Sequence, residues 1–283
     1  MPKDKDYDFD NSPEIADLLE NEVFSDEIKK DMFSHKKINS SDIASKHPPG
    51  KMTGEVIMYL HTNQAHHLFY GRRRDKEKKL EPITGLIRFA GELNKIWVAA
   101  KNDDPYADYF LYQIEQILIK AEHHIQEQTQ DLETKLSQLE KRGFVIQVQE
   151  SESPVELSLN FAPEFTHKGA LALLSFDYLV RLALTLKHTT VLNRKDWKLV
   201  VNNSGKNIRQ AFETSLRFKH TGVTRDDVAA NNAKAADAKS KMKLELPEAI
   251  LQGIVRAEIS PPLPANREAT LSKDATIDEA ITK

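Results

Sequence analysis

The chain has 283 residues, of which 40% are hydrophobic and 29% charged, the composition of an ordinary soluble globular protein. It contains no cysteine, which excludes disulfides, thiol nucleophiles and cysteine-ligated zinc. No apolar run approaches the roughly 18 residues of a bilayer-spanning helix, and the acidic N-terminus lacks the apolar core of a secretory signal. We therefore expect a cytoplasmic protein without a membrane partner.

The formal net charge of −3 conceals an uneven distribution of charge along the chain. Residues 1–50 carry a net −5 and residues 92–152 a net −6, whereas residues 51–81 carry +3 and residues 166–225 carry +8. This pattern predicts a protein with one positive face and an acidic remainder.

Residues 1–50 are rich in Asp, Lys, Ser and Asn, which predicts a flexible acidic arm. An ordered domain is expected over 52–258. Its first segment, "EVIMYLHT", alternates in hydrophobicity and predicts a short strand with Ile57, Tyr59 and His61 facing outward. "NQAHHLFYGR" then predicts a short helix ended by Gly71.

Two longer helices are predicted next. "ITGLIRFAGELNKIWVAA" places one apolar face on a helix, formed by Leu86, Ala90, Leu93, Trp97 and Ala100. Asp104 is a natural N-cap and Pro105 fits a first helical position, so a long helix is predicted over 104–142. Its apolar residues recur at a spacing of three and four, which indicates an arm of a helical hairpin or a coiled-coil seam.

The C-terminal half predicts two strands followed by helices. The strands are 144–149 and 155–161, separated by the turn "ESESP". Helices are expected at 167–187, at 194–213 with a break at 202–205, in the alanine-rich "TRDDVAANNAKAADAKSKMK" and in "LPEAILQGIVR". Residues 259–283 are predicted to be a flexible tail. The expected fold class is mainly α with short β-strands.

No pattern in the sequence indicates a catalytic, cofactor or metal site. The chain has no nucleophile elbow and no zinc-protease motif, and "NNSGKN" lacks the spacing of a phosphate-binding loop. The histidine groups "HTNQAHH" and "AEHHIQ" match no standard metal-ligand spacing. We expect a protein that is not an enzyme and uses no cofactor.

The positive charge has two interpretations. Arg72, Arg73 and Arg74 could form a solvated loop, which is the usual role of such a run. However, Lys168 precedes one predicted helix, and Arg194 and Lys195 open the next, where backbone N–H groups already favour anions. Arginine also matches phosphate with a two-pronged donor geometry. These six residues are candidate contacts to DNA phosphates.

The strand "VELSLNF" is a candidate for reading bases. Its apolar positions 155, 157, 159 and 161 would face the core, leaving Glu156, Ser158 and Asn160 on the other face. Ser and Asn can pair with base edges, and a two-stranded ribbon fits the major groove, which makes Ser158 and Asn160 candidate DNA-binding residues. The alternative is an ordinary half-buried strand with a hydrated face.

Several segments together resemble the AcaB-like family of integrating conjugative element proteins. They are, in order, "LHTNQAHHLFYGRRR", "GLIRFAGELNKIW", "DDPYADYFLYQIE", "SFDYLVRLALTLKHTTVL", "KNIRQAF" and "GVTRDDV", and they extend over about 52–258. The resemblance implies a bacterial transcriptional activator that binds promoter-proximal double-stranded DNA on a plasmid or integrating element and switches on conjugative transfer genes. It also implies a ribbon-helix-helix element whose antiparallel strands come from two subunits of a homodimer. RNA polymerase is then a candidate partner.

Two strand-helix-helix runs could form that element. The run 155–213 has the better polar strand face, and the run 55–101 has the more compact proportions; the first is favoured. Two other functional classes remain open. One is a relaxosome accessory or structural protein of the conjugation machinery, and the other, less favoured because no acid–base group is visible, is an enzyme acting on nucleic acid.

Overall fold

The computed structural model describes residues 56–73, 82–159 and 164–264, with side chains in the last range from Thr166 onward. The predicted arm 1–50 lies outside the described residues, as do Arg74, Asn160 and most of the predicted tail. The boundaries predicted for the arm, the domain and the tail therefore remain predictions.

The described residues form two strands and eight helices. In chain order these are β1 (Ile57–Leu60), α1 (Asn63–Tyr70), α2 (Leu86–Lys101), α3 (Pro105–Glu140), β2 (Val155–Ser158), α4 (Glu164–His188), α5 (Arg194–Ser215), α6 (Arg225–Ala229), α7 (Ala233–Met242) and α8 (Glu248–Leu251). The mainly helical class expected from the sequence is confirmed.

The long helix α3 has the predicted cap and serves as the spine of the fold. The Asp104 carboxylate accepts hydrogen bonds from the backbone N–H groups of Tyr106 and Ala107, and Pro105 occupies the first helical position. Its apolar stripe is buried as far as Leu132 by packing within the same chain, mainly against α4 and α5. The stripe is therefore part of the internal core of the chain.

β1 and β2 pair antiparallel and form a two-stranded ribbon, the only sheet among the described residues. Ile57 lies opposite Ser158 and Tyr59 opposite Glu156. The predicted pairing of β2 with a strand of a second subunit is corrected by the structure, because both strands of the ribbon come from one chain. The two candidate strand-helix-helix runs thus each contribute one strand to the same ribbon.

The strand predicted at 144–149 is wrong. The segment has no regular secondary structure, and Phe144 and Val145 are exposed. The Gln149 N–H donates to the hydroxyl of Thr185 on α4 at 2.9 Å instead of to a neighbouring strand. Val148, one of the apolar residues whose alternation suggested a strand, packs against the core.

Two further helix predictions are wrong, one at a glycine in α5 and one at a pair of asparagines between α6 and α7. The break expected at 202–205 is absent, because Gly205 lies inside α5, where a Cβ atom would come within 3.3 Å of the Phe176 ring on α4. The single helix expected over 224–243 is broken into α6 and α7. Asn231 adopts a positive φ of 47°, and the Asn232 side chain caps α7.

Helices α2, α4 and α5 pack closely near the start of α4. The rings of Phe89 on α2 and Phe212 on α5 are stacked with centroids 4.6 Å apart. Gly169 allows this approach, since a Cβ atom there would lie 3.0 Å from Leu86 and 3.2 Å from Phe89. These three helices therefore share one core.

Contrary to the expectation that no apolar run approaches a bilayer-spanning length, the segment Thr166–His188 of α4 is long and apolar enough to cross a membrane by length and composition alone, with a mean hydropathy of 1.5 over its most apolar window. However, 67% of that window is buried inside the fold. Core helices of soluble proteins meet the same criterion, so this feature is weak support for a membrane span.

A buried ion-pair cluster attaches the C-terminal segments to the start of α3. Arg225 is 3% exposed, and its guanidinium lies 2.6 Å from a carboxylate oxygen of Asp103 and 2.6 Å from one of Asp108. It also donates to the carbonyl oxygens of Ile250 and Leu251. The guanidinium of Arg256 makes two further hydrogen bonds to Asp108.

We predict that Arg225→Ala will lower the free energy of unfolding by ~3–5 kcal/mol, because it leaves buried carboxylates with too few partners. Urea denaturation followed by circular dichroism measures this loss. The matched control is Arg217→Ala, an exposed arginine without an ion pair among the described residues. Equal, small losses for both variants would contradict the structural role of Arg225.

Asp104 provides a pH-dependent contribution to stability. Burial is the main cause that raises the pKa of Asp104 from 3.8 to about 7, although its Oδ1 atom accepts two backbone hydrogen bonds. The folded state thus holds a proton more tightly than the unfolded state does. The stabilisation that comes from protonated Asp104 is full below pH 3.8 and is lost as the pH rises to about 7.

Asp104→Asn should keep the N-cap and remove this titration, because asparagine caps helices as well as aspartate does. As the pH rises from about 5 to 8, the unfolding free energy of the variant should increase relative to that of the wild type by on the order of 2 kcal/mol. Denaturation curves at several pH values test this. A difference that is independent of pH would contradict the raised pKa.

Candidate nucleic-acid interface

The ribbon has one buried face and one exposed face. Its inner face is apolar and consists of Met58, Leu60, Leu157 and Leu159. The exposed face consists of Ile57, Tyr59, Glu156 and Ser158. This agrees with the alternation predicted for both strands, except that Val155, predicted to face the core, is 37% exposed. Asn160, the other predicted base-reading residue, lies outside the described residues.

Asp177 on α4 holds the end of β1 and the start of α1. Its Oδ1 atom accepts hydrogen bonds from the Thr62 N–H at 2.9 Å and from the Thr62 hydroxyl at 2.7 Å, and the His61 N–H donates to its Oδ2 atom at 3.2 Å. Thr62 in turn caps α1 by accepting from the Ala65 N–H. Asp177 is 2% exposed, so this network fixes the ribbon on α4 from within the core.

The segment that leads into β2 is also bound to α4. Arg181 donates to the Gln149 carbonyl oxygen at 2.9 Å and forms an ion pair with Glu150. One residue further on, the Ser151 N–H donates to the Nδ1 atom of His61. The strand β2 thus enters the ribbon along a path fixed by side chains of α4 and β1.

The first predicted arginine cluster lies in the turn between α1 and α2. Arg72 is half-buried, and its backbone exchanges two hydrogen bonds with Ile83, at 2.8 and 2.9 Å, which close the turn. Arg73 is exposed, and Arg74 lies outside the described residues. Burial lowers the pKa of the neighbouring His66 and His67, so these side chains add little positive charge at neutral pH.

The second cluster lies at the turn between α4 and α5. Arg194 and Lys195 are exposed in the first turn of α5, where the Asn193 side chain caps the Lys195 and Asp196 N–H groups. Lys187, at the end of α4, lies with its Nζ atom 4.4 Å from the centroid of the Trp197 ring. This cation–π contact holds a third positive charge beside the two predicted ones.

The outer surface of α5 extends the positive charge beyond the predicted residues. Lys198 is partly exposed and Lys206 is exposed. Within the described parts of the chain, none of Arg194, Lys195, Lys198 and Lys206 forms an ion pair, whereas Lys95, Lys135, Lys239 and Lys241 on other helices each pair with a neighbouring carboxylate. These side chains are therefore available to an external anion.

Lys168 is in a different environment from the other predicted cations. Its Nζ atom lies 3.0 Å from Glu115 on α3 and 2.8 Å from Glu258 in the C-terminal segment. Burial alone would lower the pKa of Lys168, but the hydrogen bonds to these two glutamates and their charges raise it. The residue links α3, α4 and the C-terminal segment, and its charge is already balanced.

The two basic turns lie at opposite ends of α4. The first turn leads into Leu86, which packs on Gly169 near the start of α4, and the second turn follows the last residue of that helix, His188. The helical stretch between Gly169 and His188 spans roughly 30 Å. This distance is close to the ~34 Å of one turn of a DNA duplex.

Comparison with known proteins identifies the family. A family model described as "Transcriptional regulator AcaB" matches residues 48–264, which is more than half of the chain. The chain belongs to the AcaB family of transcriptional regulators. No protein with a curated description matches. A solved structure, the crystal structure of selenomethionine-containing AcaB from uropathogenic E. coli, is similar at 12% sequence identity, with a TM-score of 0.41, over 70% of this chain and 94% of the other.

The family assignment confirms the family resemblance inferred from the sequence and a role in transcription regulation. It leaves the individual site residues as predictions. Sequence reasoning missed three features: Asp177 as the anchor of the ribbon, Lys187 over Trp197, and Lys198 and Lys206 on α5. The signal for Asp177 was present, because a lone carboxylate within the apolar run "LALLSFDYLVRLAL" must find hydrogen-bond donors when it is buried.

Proposed function

We propose that this regulator is a sequence-specific DNA-binding transcriptional activator of conjugative transfer genes, acting in the cytoplasm. The observation that carries the proposal is the exposed two-stranded ribbon, in which each strand is followed by two helices with a basic turn between them. A two-stranded ribbon fits the major groove, where its side chains can reach base edges. The ribbon and the helices α1, α2, α4 and α5 would act as a ribbon-helix-helix element in which one chain supplies both strands, unlike the two-subunit ribbon that the family resemblance implies.

In this proposal the basic turns contact phosphates on either side of the ribbon. Arg73 at one turn, and Arg194 and Lys195 at the other, are exposed and point to a sequence-independent electrostatic contribution. The N-terminus of α5 adds backbone N–H groups that favour an anion. Arg72 and Arg74 remain predicted phosphate contacts. Lys168 is the weakest member of the predicted set because its charge is balanced by Glu115 and Glu258.

The homodimer implied by the family resemblance stays a separate prediction, because neither the ribbon nor α3 requires a second chain. The strand that needed a partner has one in the same chain, and the apolar stripe of α3 is covered internally. A dimer would then join two chains that each hold a complete ribbon. Light scattering at micromolar concentration measures the mass. RNA polymerase remains a predicted partner, since an activator must raise its occupancy or its activity at the promoter.

A genome-wide occupancy map of the tagged protein tests the proposal as a whole. Occupancy upstream of the promoters of transfer genes would support an activator. Occupancy confined to a nick site at a transfer origin would instead support the second candidate, a relaxosome accessory or structural protein of the conjugation machinery.

We predict that the double variant Arg194→Ala and Lys195→Ala will weaken binding to specific and non-specific duplexes alike. Each lost phosphate contact should reduce the slope of log K against log salt by about one. The matched control is Lys239→Ala with Lys241→Ala, two exposed lysines that already pair with Glu245 and Asp237. Fluorescence anisotropy at several salt concentrations measures both slopes. An unchanged slope in the first variant would place the DNA elsewhere.

We predict the opposite behaviour for Ser158→Ala combined with Asn160→Ala. A good base contact discriminates by roughly 1–3 kcal/mol, so specific affinity should fall about tenfold or more while non-specific binding stays nearly constant. Ser153→Ala, an exposed serine in the loop before β2, is the control. Competition assays with specific and random duplexes decide the outcome. Full sequence preference in the double variant would move base reading to Ile57 and Tyr59.

A further inference from the structure

The two strands of the ribbon present different side chains on the exposed face. β1 contributes Ile57 and Tyr59, whereas β2 contributes Ser158 and Glu156. Each residue lies opposite an unlike one, because Ile57 pairs with Ser158 and Tyr59 with Glu156. One half of the face is therefore apolar and aromatic, and the other half is polar and acidic.

This asymmetry is a consequence of building the ribbon from one chain. When two identical subunits each supply a strand, a two-fold axis places the same side chain at equivalent positions on both halves of the DNA site, so the site mirrors that symmetry. The present ribbon has no such axis relating its side chains. It can apply different base preferences to its two halves.

The supporting helices are unequal as well. The helix after β1, α1, has 8 residues, whereas the helix after β2, α4, has 25. The turn between α1 and α2 is closed by the Arg72–Ile83 hydrogen bonds and leads into Leu86, which packs near Gly169, about 8 residues of helix, or ~12 Å, from Asp177. The turn between α4 and α5 lies beyond Asp177, the residue that holds the ribbon, by about 11 residues of helix, or ~16 Å. Phosphate contacts on the two sides of the ribbon therefore lie at different distances from it.

We propose that one chain forms the entire DNA-reading ribbon and recognises a non-palindromic duplex site, with one chain bound per site. This inference rests on the proposed DNA-binding function and adds the symmetry and the stoichiometry of the target. Glu156 would favour cytosine on its half of the site, since a carboxylate accepts from the exocyclic amino group of that base. Tyr59, facing it, offers a hydroxyl and an apolar ring to the other half.

The absence of cysteine from the chain allows a direct test of the ribbon. The Leu159 N–H donates to the Val56 carbonyl oxygen at 2.7 Å, so this is a hydrogen-bonded pair of the ladder. By alternation, the pairs Ile57–Ser158 and Tyr59–Glu156 are of the non-hydrogen-bonded type, in which the Cβ atoms are closest. Cysteines at either pair meet the distance requirement of a disulfide.

We would therefore introduce Tyr59→Cys with Glu156→Cys, which leaves Ser158 in place, and oxidise the full-length protein. The expected product is an intrachain disulfide that migrates as a single chain on a non-reducing gel, with the link located by peptide mass spectrometry. Each single variant is the control for chance crosslinking. The pair Ile57→Cys with Ser158→Cys repeats the test if the first variant folds poorly. A disulfide-linked dimer, or no disulfide from either pair, would overturn the single-chain ribbon.

The second arm uses the wild-type chain and selection from random duplexes. The expected result is an asymmetric consensus and, on the shortest duplex that binds, a complex with one chain per duplex by sedimentation. A palindromic consensus bound by two chains would overturn the inference while supporting DNA binding. Selection of no duplex at all would overturn the proposed function and the asymmetric site together, and the disulfide result would still decide how the ribbon is built.

Discussion

The buried carboxylate of Asp177 is the interaction on which the placement of the ribbon depends. A charge without solvent is costly to bury unless donors surround it, and here two backbone N–H groups and one hydroxyl do so. All three donors belong to His61 and Thr62, where β1 ends and α1 begins. Because the buried carboxylate needs these donors, the junction of β1 and α1 is held in a fixed position on α4. The Arg181 contacts to 149–150 do the same for the chain that enters β2.

Charge is divided between structural and external uses. The acidic N-terminal end of α3 is matched within the fold, because Asp103, Asp108 and Glu115 meet Arg225, Arg256 and Lys168. These pairs attach the C-terminal segments to the spine of the molecule. On α5, Arg194, Lys195, Lys198 and Lys206 form no ion pair among the described residues, so much of the excess positive charge of 166–225 lies on this helix and in the turn before it. The segregation agrees with a protein that keeps one surface for an anionic partner.

The sequence predicted the helices well because their signals are local. Asp104, Pro105 and the apolar spacing of three and four define α3 without reference to any other element. The partner of β2 could not be predicted in this way, since strand pairing depends on contacts between residues about a hundred positions apart. The apolar alternation at 144–149 misled for the same reason: this segment is held on α4, where the Gln149 N–H donates to Thr185, and not on the edge of a strand.

The candidate site was predicted in part. Arg73, Arg194, Lys195 and Ser158 are exposed as expected, but Lys168 is paired because Glu115 and Glu258 lie far from it in the sequence and close in the fold. Asn202–Gly205 looked like a helix break, since glycine disfavours helices. Tertiary packing outweighs that preference here, because Gly205 lies against the Phe176 ring, where a Cβ atom would be tight at 3.3 Å.

The pairing of β1 with β2 has a consequence for biosynthesis. The two strands lie about a hundred residues apart, so the ribosome needs roughly 5–20 s to deliver the second after the first. An α-helix forms within about a microsecond, so α2 and most of α3 can be helical long before β2 leaves the exit tunnel. During this interval Met58 and Leu60 lack their partner strand, and the chain presents an unpaired apolar edge. The nascent chain should therefore depend on chaperone cover most strongly between the emergence of β1 and that of α4.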